Sequence, residues 1–331
     1  QARRRGIFHN LHYATASPFT LINNNITGLS DANETNWDGI LLTSLSVGSL
    51  SQDNIIDGTN LSQSEGYEVW NVKNTTPAVI NGGSVRGVKY GLSVNNFAGY
   101  NSDATDGAHV IVSKLSVNNC QNGILIQDDP MSSHALVHAL IQDDCEMINA
   151  GPGTGLLITG AKSSVNLNEN DASIHGFTIG VDVDGGTATI TNNHIYENGT
   201  GIRVSNGGIL NSTFGNLIHS NSTDGIRIEG SAGSIGVINN NDLSGNSVYA
   251  INNLSNQLID GTCNWFGTTN SLLVANQING NVDFTPFLKL GIDFDPLSPG
   301  FQPVPNICDA IAPALTTTIN TVTINSNNDG I

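Results

Sequence analysis

Gly180-Val181-Asp182-Val183, Gly201-Ile202-Arg203-Val204 and Gly225-Ile226-Arg227-Ile228 are three copies of one phrase, a glycine followed by an apolar–x–apolar triplet. Alternation of this kind places two side chains on one face of a strand and the middle one on the other. Towards the N-terminus the phrase returns as Gly155-Leu156-Leu157-Ile158, Gly123-Ile124-Leu125-Ile126, Gly91-Leu92-Ser93-Val94 and Gly66-Tyr67-Glu68-Val69, with Asp38-Gly39-Ile40 as a weaker copy. Successive glycines lie 27, 25, 32, 32, 25, 21 and 24 residues apart. A repeat of this length, made of short strands without a helical period, predicts an all-β solenoid. No coil can bury its apolar face alone, so the coils must stack in parallel register, about 4.8 Å apart.

A second column runs in phase with the first. An apolar residue followed three positions later by Asn or Asp recurs as Leu115/Asn118, Leu140/Asp143, Leu167/Asn170, Ile195/Asn198, Ile218/Asn221 and Leu243/Asn246. Asn accepts left-handed backbone angles and bonds the backbone of tight turns. Stacked over successive coils, such amides are expected to bond one another along the axis as an asparagine ladder.

These two columns, over roughly residues 35 to 260, resemble the right-handed parallel β-helix proteins, the fold of pectate lyases and of many bacterial surface proteins. The right hand and roughly ten coils follow from that resemblance and the repeat length. The segment Asp260-Gly261-Thr262-Cys263-Asn264-Trp265-Phe266-Gly267 resembles the closing segment of bacterial β-helix repeats. Trp265 and Phe266 are expected to cap the open apolar end of the stack. The Pro-rich stretch that follows is similar to module ends in large secreted proteins of Bacteroidota-type bacteria. The expected organisation is an N-terminal coil or cover over 1–34, the β-helix over 35–283, a Pro-rich linker over 284–307, and the start of a further domain or a tail over 308–331.

Composition narrows the partners. Of 331 residues only 12% are charged, 28 acidic against 11 basic, for a formal charge of −17. That balance argues against nucleic acid and anionic lipid, which call for a basic footprint. It leaves calcium as a candidate cofactor through carboxylate oxygens. No apolar run approaches the ~20 residues that cross a bilayer, so membrane insertion is not expected. The chain starts Gln1-Ala2-Arg3-Arg4-Arg5, which reads as a segment of a longer secreted or cell-surface precursor. Of the four cysteines none forms a Cys-x-x-Cys pair. Cys120 and Cys145 lie one repeat apart and are either a disulfide or two stacked buried thiols. Cys263 and Cys308 are candidates to staple the end of the helix to the tail.

For chemistry the place to inspect is the middle position of each triplet, Glu68, Ser93, Leu125, Leu157, Asp182, Arg203 and Arg227. Asp182, Asp184, Arg203 and Arg227 cluster over neighbouring coils and are the catalytic candidates. An ordinary cross-strand ion pair between Asp182 and Arg203 on a solvated face is the favoured account of them. His134, His138, His175, His194 and His219 are scattered over different repeats at no recognisable metal spacing. The expected function is therefore a non-enzymatic structural or adhesive β-helix rod, secreted or surface-attached. Its expected partners are other extracellular domains, further copies of itself, or glycans. A polysaccharide-active β-helix enzyme (lyase, hydrolase or epimerase) is the alternative.

Overall fold

The computed structural model describes residues 5–10, 20–28, 37–43, 49–70, 72, 76–96, 107–131, 136–305 and 308. These form an all-β, right-handed parallel β-solenoid of about eight turns. The turns are bounded by Asp38–Thr43 and Tyr249–Asn253, and the strands Arg5–Asn10 and Ile278–Asn279 continue the stack at its two ends.

One coil shows the plan. Ile179–Asp184 lies on a first sheet, the start of Thr187–Tyr196 on a second, and its end, His194 to Tyr196, on a short third sheet. A corner at Asn198 then leads into Thr200–Ser205, back on the first sheet. Val181 thereby lies beside Ile202 and Ile226, and Val183 beside Val204 and Ile228. All six side chains are fully buried in one core that runs from Ile26 to Phe287. Arg203 and Arg227 point outward, as the alternation predicts.

The repeated glycine has a steric cause. A Cβ on Gly201 would stand 2.6 Å from the carbonyl oxygen of Gly225 and 2.9 Å from Ile218 Cγ2. The chain enters the first sheet so close to the next coil that only hydrogen fits.

Each regular coil carries two asparagine corners. At the corner between third and first sheets, Asn198, Asn221 and Asn246 stack, each Oδ1 accepting from the backbone N–H of the preceding member at 3.1 Å. At the corner between second and third sheets, Asn193, Asn216, Asn241 and Asn264 do the same at 2.9 to 3.1 Å. Asn24 and Asn54 repeat the arrangement in the early coils.

The single column expected from Asn118 to Asn246 is thus two. Asn170 is in register with Asn193, on the second-to-third corner. Asn118 lies on the third sheet, in the line that continues through Ile148, His175, Tyr196 and His219. Asp143 occupies a turn, with a left-handed φ of 54°. The misassignment arises because Ile190/Asn193 and Ile195/Asn198 obey the same apolar-x-x-Asn rule, so spacing alone slides between corners.

That slide also explains the first cysteine pair. Cys120 sits two residues beyond the Asn118 line, at the corner Asn198 occupies. Cys145 directly precedes Glu146, which pairs with Ser116, and so lies level with Leu115 at the other corner. The disulfide alternative is not formed: both are buried, unbridged thiols, directed at carbonyls of Val85 and Val112 respectively. Burial pushes both thiols up to about 11.

Cys263 and Cys308 are bonded to each other. Phe266 is buried edge-on against Phe287 at 6.3 Å, and the short helix Ser271–Ala275 adds Val274 to the core. Trp265 is half-buried outside that core, its ring against Gly291. The Pro-rich segment, expected as a linker, lies along the solenoid in its described part. Leu288 N–H donates to Asn264 O, Phe301 N–H donates to Gly215 O, and Phe287, Leu288 and Phe301 are buried. At the other end, Arg5–Asn10, Thr20–Ile22 and Asn25–Thr27 pair in parallel with the next coil. Residues 1–4, 11–19, 29–34 and 309–331, parts of the expected N-terminal cover and tail, fall outside the described residues.

Candidate functional site

The outward positions of the first sheet do come together in lines. Arg203 Nε donates to Asp182 Oδ1 at 3.0 Å and Nη2 to Oδ2 at 2.6 Å, a two-point pair. Arg227 bonds Glu229 at 2.7 Å and approaches Asp224 at 3.4 Å. Asp184 accepts from Ser205 and Asn206. The four catalytic candidates are therefore neighbours, yet each is committed to a protein partner. Asp182 corrects one expectation: its side chain is only 4% exposed, so this pair does not lie on a freely solvated face. Burial raises the Asp182 pKa, against the lowering by its bond to Arg203. The same guanidinium is held more firmly charged by that bond.

The strongest chemistry on this sheet lies elsewhere. Asp38, Glu65 and Glu68 bring their carboxylate oxygens within 4.8 Å of one another. Asp38 and Glu65 are direct register partners on adjacent coils, and Glu68 stands one outward position further along its strand. Arg5 Nε donates to Asp38 Oδ2 at 3.1 Å and offsets one charge. Burial, then the neighbouring Glu65 and Asp38, drive the Glu68 pKa well above the carboxylate range. Burial, then Asp38, raise Glu65 as well. Like charges this close, partly removed from water, raise the proton affinity of Glu65 and Glu68 together.

Two uses fit such a cluster. Three carboxylates can ligate a hard divalent cation such as calcium, whose charge would offset theirs. A carboxyl held neutral beside an ionised one can also act as an acid–base pair on a glycosidic bond. Of the three, only Glu68 stands in the outward column that the repeat defines. The available signal was that Asp38 and Glu65 each directly precede the repeat glycine, which puts them in register.

The histidines are organised too. On the third sheet His175, Tyr196 and His219 stack along the axis, with centroids 4.8 and 5.8 Å apart. His194 stands beside them, 4.2 Å from the Tyr196 ring. On the second sheet His109 and His138 are register partners with rings 5.3 Å apart. His134 lies outside the described residues. Burial lowers His109 and His194 from 6.5 to about 4, helped by His138 for the first and by His219 and His175 for the second. A folded-state pKa below the unfolded one means the unfolded chain binds more protons between those values. Stability is therefore full above pH 6.5 and falls as pH drops towards 4. Both rings keep solvent contact, which reduces the effect to about 1 kcal/mol each. Urea denaturation at about pH 7 and about pH 4.5 is expected to show this loss, and His109→Gln to remove its share.

No helix among the described residues is long and apolar enough to cross a membrane. No family model, curated protein or solved structure matches the chain.

Proposed function

We propose that the chain serves as a rigid structural or adhesive rod, secreted or attached to a cell surface, within a larger extracellular protein or assembly. The observation that carries this reading is the continuity of the interior. One apolar core runs along the solenoid, two asparagine corners stack through its later coils, and the outward arginines Arg203 and Arg227 are held by neighbouring carboxylates. A lyase must neutralise a uronate carboxylate and set a base beside it. Here the two arginines already have anionic partners. On this reading the partners are other extracellular domains, further copies, or glycans, and the chain is a module of the kind found in secreted Bacteroidota-type proteins. Pectate or alginate incubated with the protein, with and without calcium, is expected to yield no unsaturated product absorbing in the ultraviolet. Product formation abolished by Arg203→Ala or Arg227→Ala would overturn the rod.

The second reading is a polysaccharide-active enzyme of the pectate-lyase-like β-helix type, and the Asp38–Glu65–Glu68 cluster favours it. It requires glycan hydrolysis that disappears in Glu68→Gln. Reducing-end assays over neutral and acidic glycans separate the two readings.

A further inference from the structure

His194 and His219 reach towards each other across neighbouring coils. They are not direct register partners: His219 lies level with Tyr196, and His194 lies level with Leu217. The diagonal brings their Nε2 atoms to 2.8 Å, with ring centroids 4.9 Å apart. From this geometry we infer that His194 and His219 form a site for a divalent transition-metal ion, copper(II) or nickel(II), held through both Nε2 atoms.

Imidazole binds such ions through a deprotonated ring nitrogen at about 2.0 Å. Two nitrogens in adjacent positions of a square-planar ion then stand about 2.8 Å apart, the separation these rings already have. Without metal, a single proton must lie between the two Nε2 atoms. With metal, the ion would replace that proton from a point off the N–N line, and each ring would turn to aim its lone pair at it. His219 is set for this role, because its Nδ1 is 2.9 Å from Ser220 Oγ. When Nδ1–H donates to that hydroxyl, the lone pair sits on Nε2, the tautomer a ligand needs.

The surroundings favour a cation. Asp242 and Glu197 act on His219 as nearby negative charges. Asp242 follows Leu217 in the line that begins at His194. Tyr196 stacks on His194 and fixes its plane. Both residues are only partly buried, so water can complete the coordination. His109 and His138 provide an internal contrast: they are direct neighbours, but His138 Nδ1 faces Ser164 Oγ at 2.9 Å instead of the other ring.

The test uses the full chain without affinity-tag histidines. Calorimetric titration with Ni2+ is expected to show one site per chain, weakened at least roughly tenfold in His194→Gln and in His219→Gln, and unchanged in His138→Gln. Electron paramagnetic resonance of the wild type with one equivalent of Cu2+ should show two coupled nitrogens, which makes the result independent of whether a variant folds. Nickel affinity indifferent to both substitutions, or a copper spectrum without two imidazole nitrogens, would overturn the site.

Discussion

Replacing Asn216 by leucine is expected to destabilise the solenoid by about 3–5 kcal/mol, because several buried polar groups lose their partners at about 1–3 kcal/mol each. Asn216 Oδ1 accepts from the backbone N–H and the side-chain amide of Asn193, at 2.9 and 3.0 Å. Its Nδ2 donates to Ile190 O, at 3.0 Å, and to Asn241 Oδ1, at 2.9 Å. Asn216 is fully buried, so no water can replace these bonds. Leucine has a similar volume, which separates the polar loss from a cavity. The comparison is Asn211→Leu on the exposed surface, expected to change stability by less than about 0.5 kcal/mol. Urea denaturation of both variants decides the matter; equal midpoints would mean the corner asparagines do not hold the coils together.

The second large effect is expected at Glu68→Gln, and its sign depends on pH. The folded-state pKa values of Glu65 and Glu68 lie above the ordinary 4.5, so above that pH the folded chain holds protons the unfolded chain has released. The stabilisation is complete below pH 4.5 and is lost as pH rises. Glutamine keeps the shape and removes the charge. Between about pH 5 and about pH 8, wild type should lose on the order of 2 kcal/mol relative to Glu68→Gln. Calcium at the higher pH should recover part of this loss in wild type and little in the variant, if the cluster ligates it. Denaturation curves whose pH slopes coincide would show that the Glu65–Glu68 pair ionises freely.

Much of this fold was readable because one constraint repeats in every coil. Gly180, Gly201 and Gly225 each face the carbonyl of the next glycine or its equivalent, and no other residue fits, so the period stands out despite loops of unequal length. The corners were half readable. Asn198, Asn221 and Asn246 share one corner, but the same apolar-x-x-Asn spacing also marks Asn170 at the other corner and Asn118 on the third sheet, so spacing alone does not separate them. Chemistry was the least legible. Asp38 and Glu65 meet only once the register between their strands is known. His194 and His219 meet across a diagonal that no fixed spacing encodes. Arg203 and Asp182 were paired from sequence, yet the burial of Asp182 depends on its neighbours across the sheet.

The bond between Cys263 and Cys308 also sets the route of mechanical force. It closes a separation of 45 residues, and Cys263 directly precedes Asn264, the last asparagine of its corner. A pull arriving through residue 308 therefore enters the solenoid at Cys263, and the chain between the two cysteines is bypassed. Reduction would transfer the same pull to the Pro-rich strap, peeling Phe301 from Gly215 and Leu288 from Asn264 before any coil is strained. Extension at constant force should accordingly lengthen by one discrete step in reductant, a step missing from the oxidised chain.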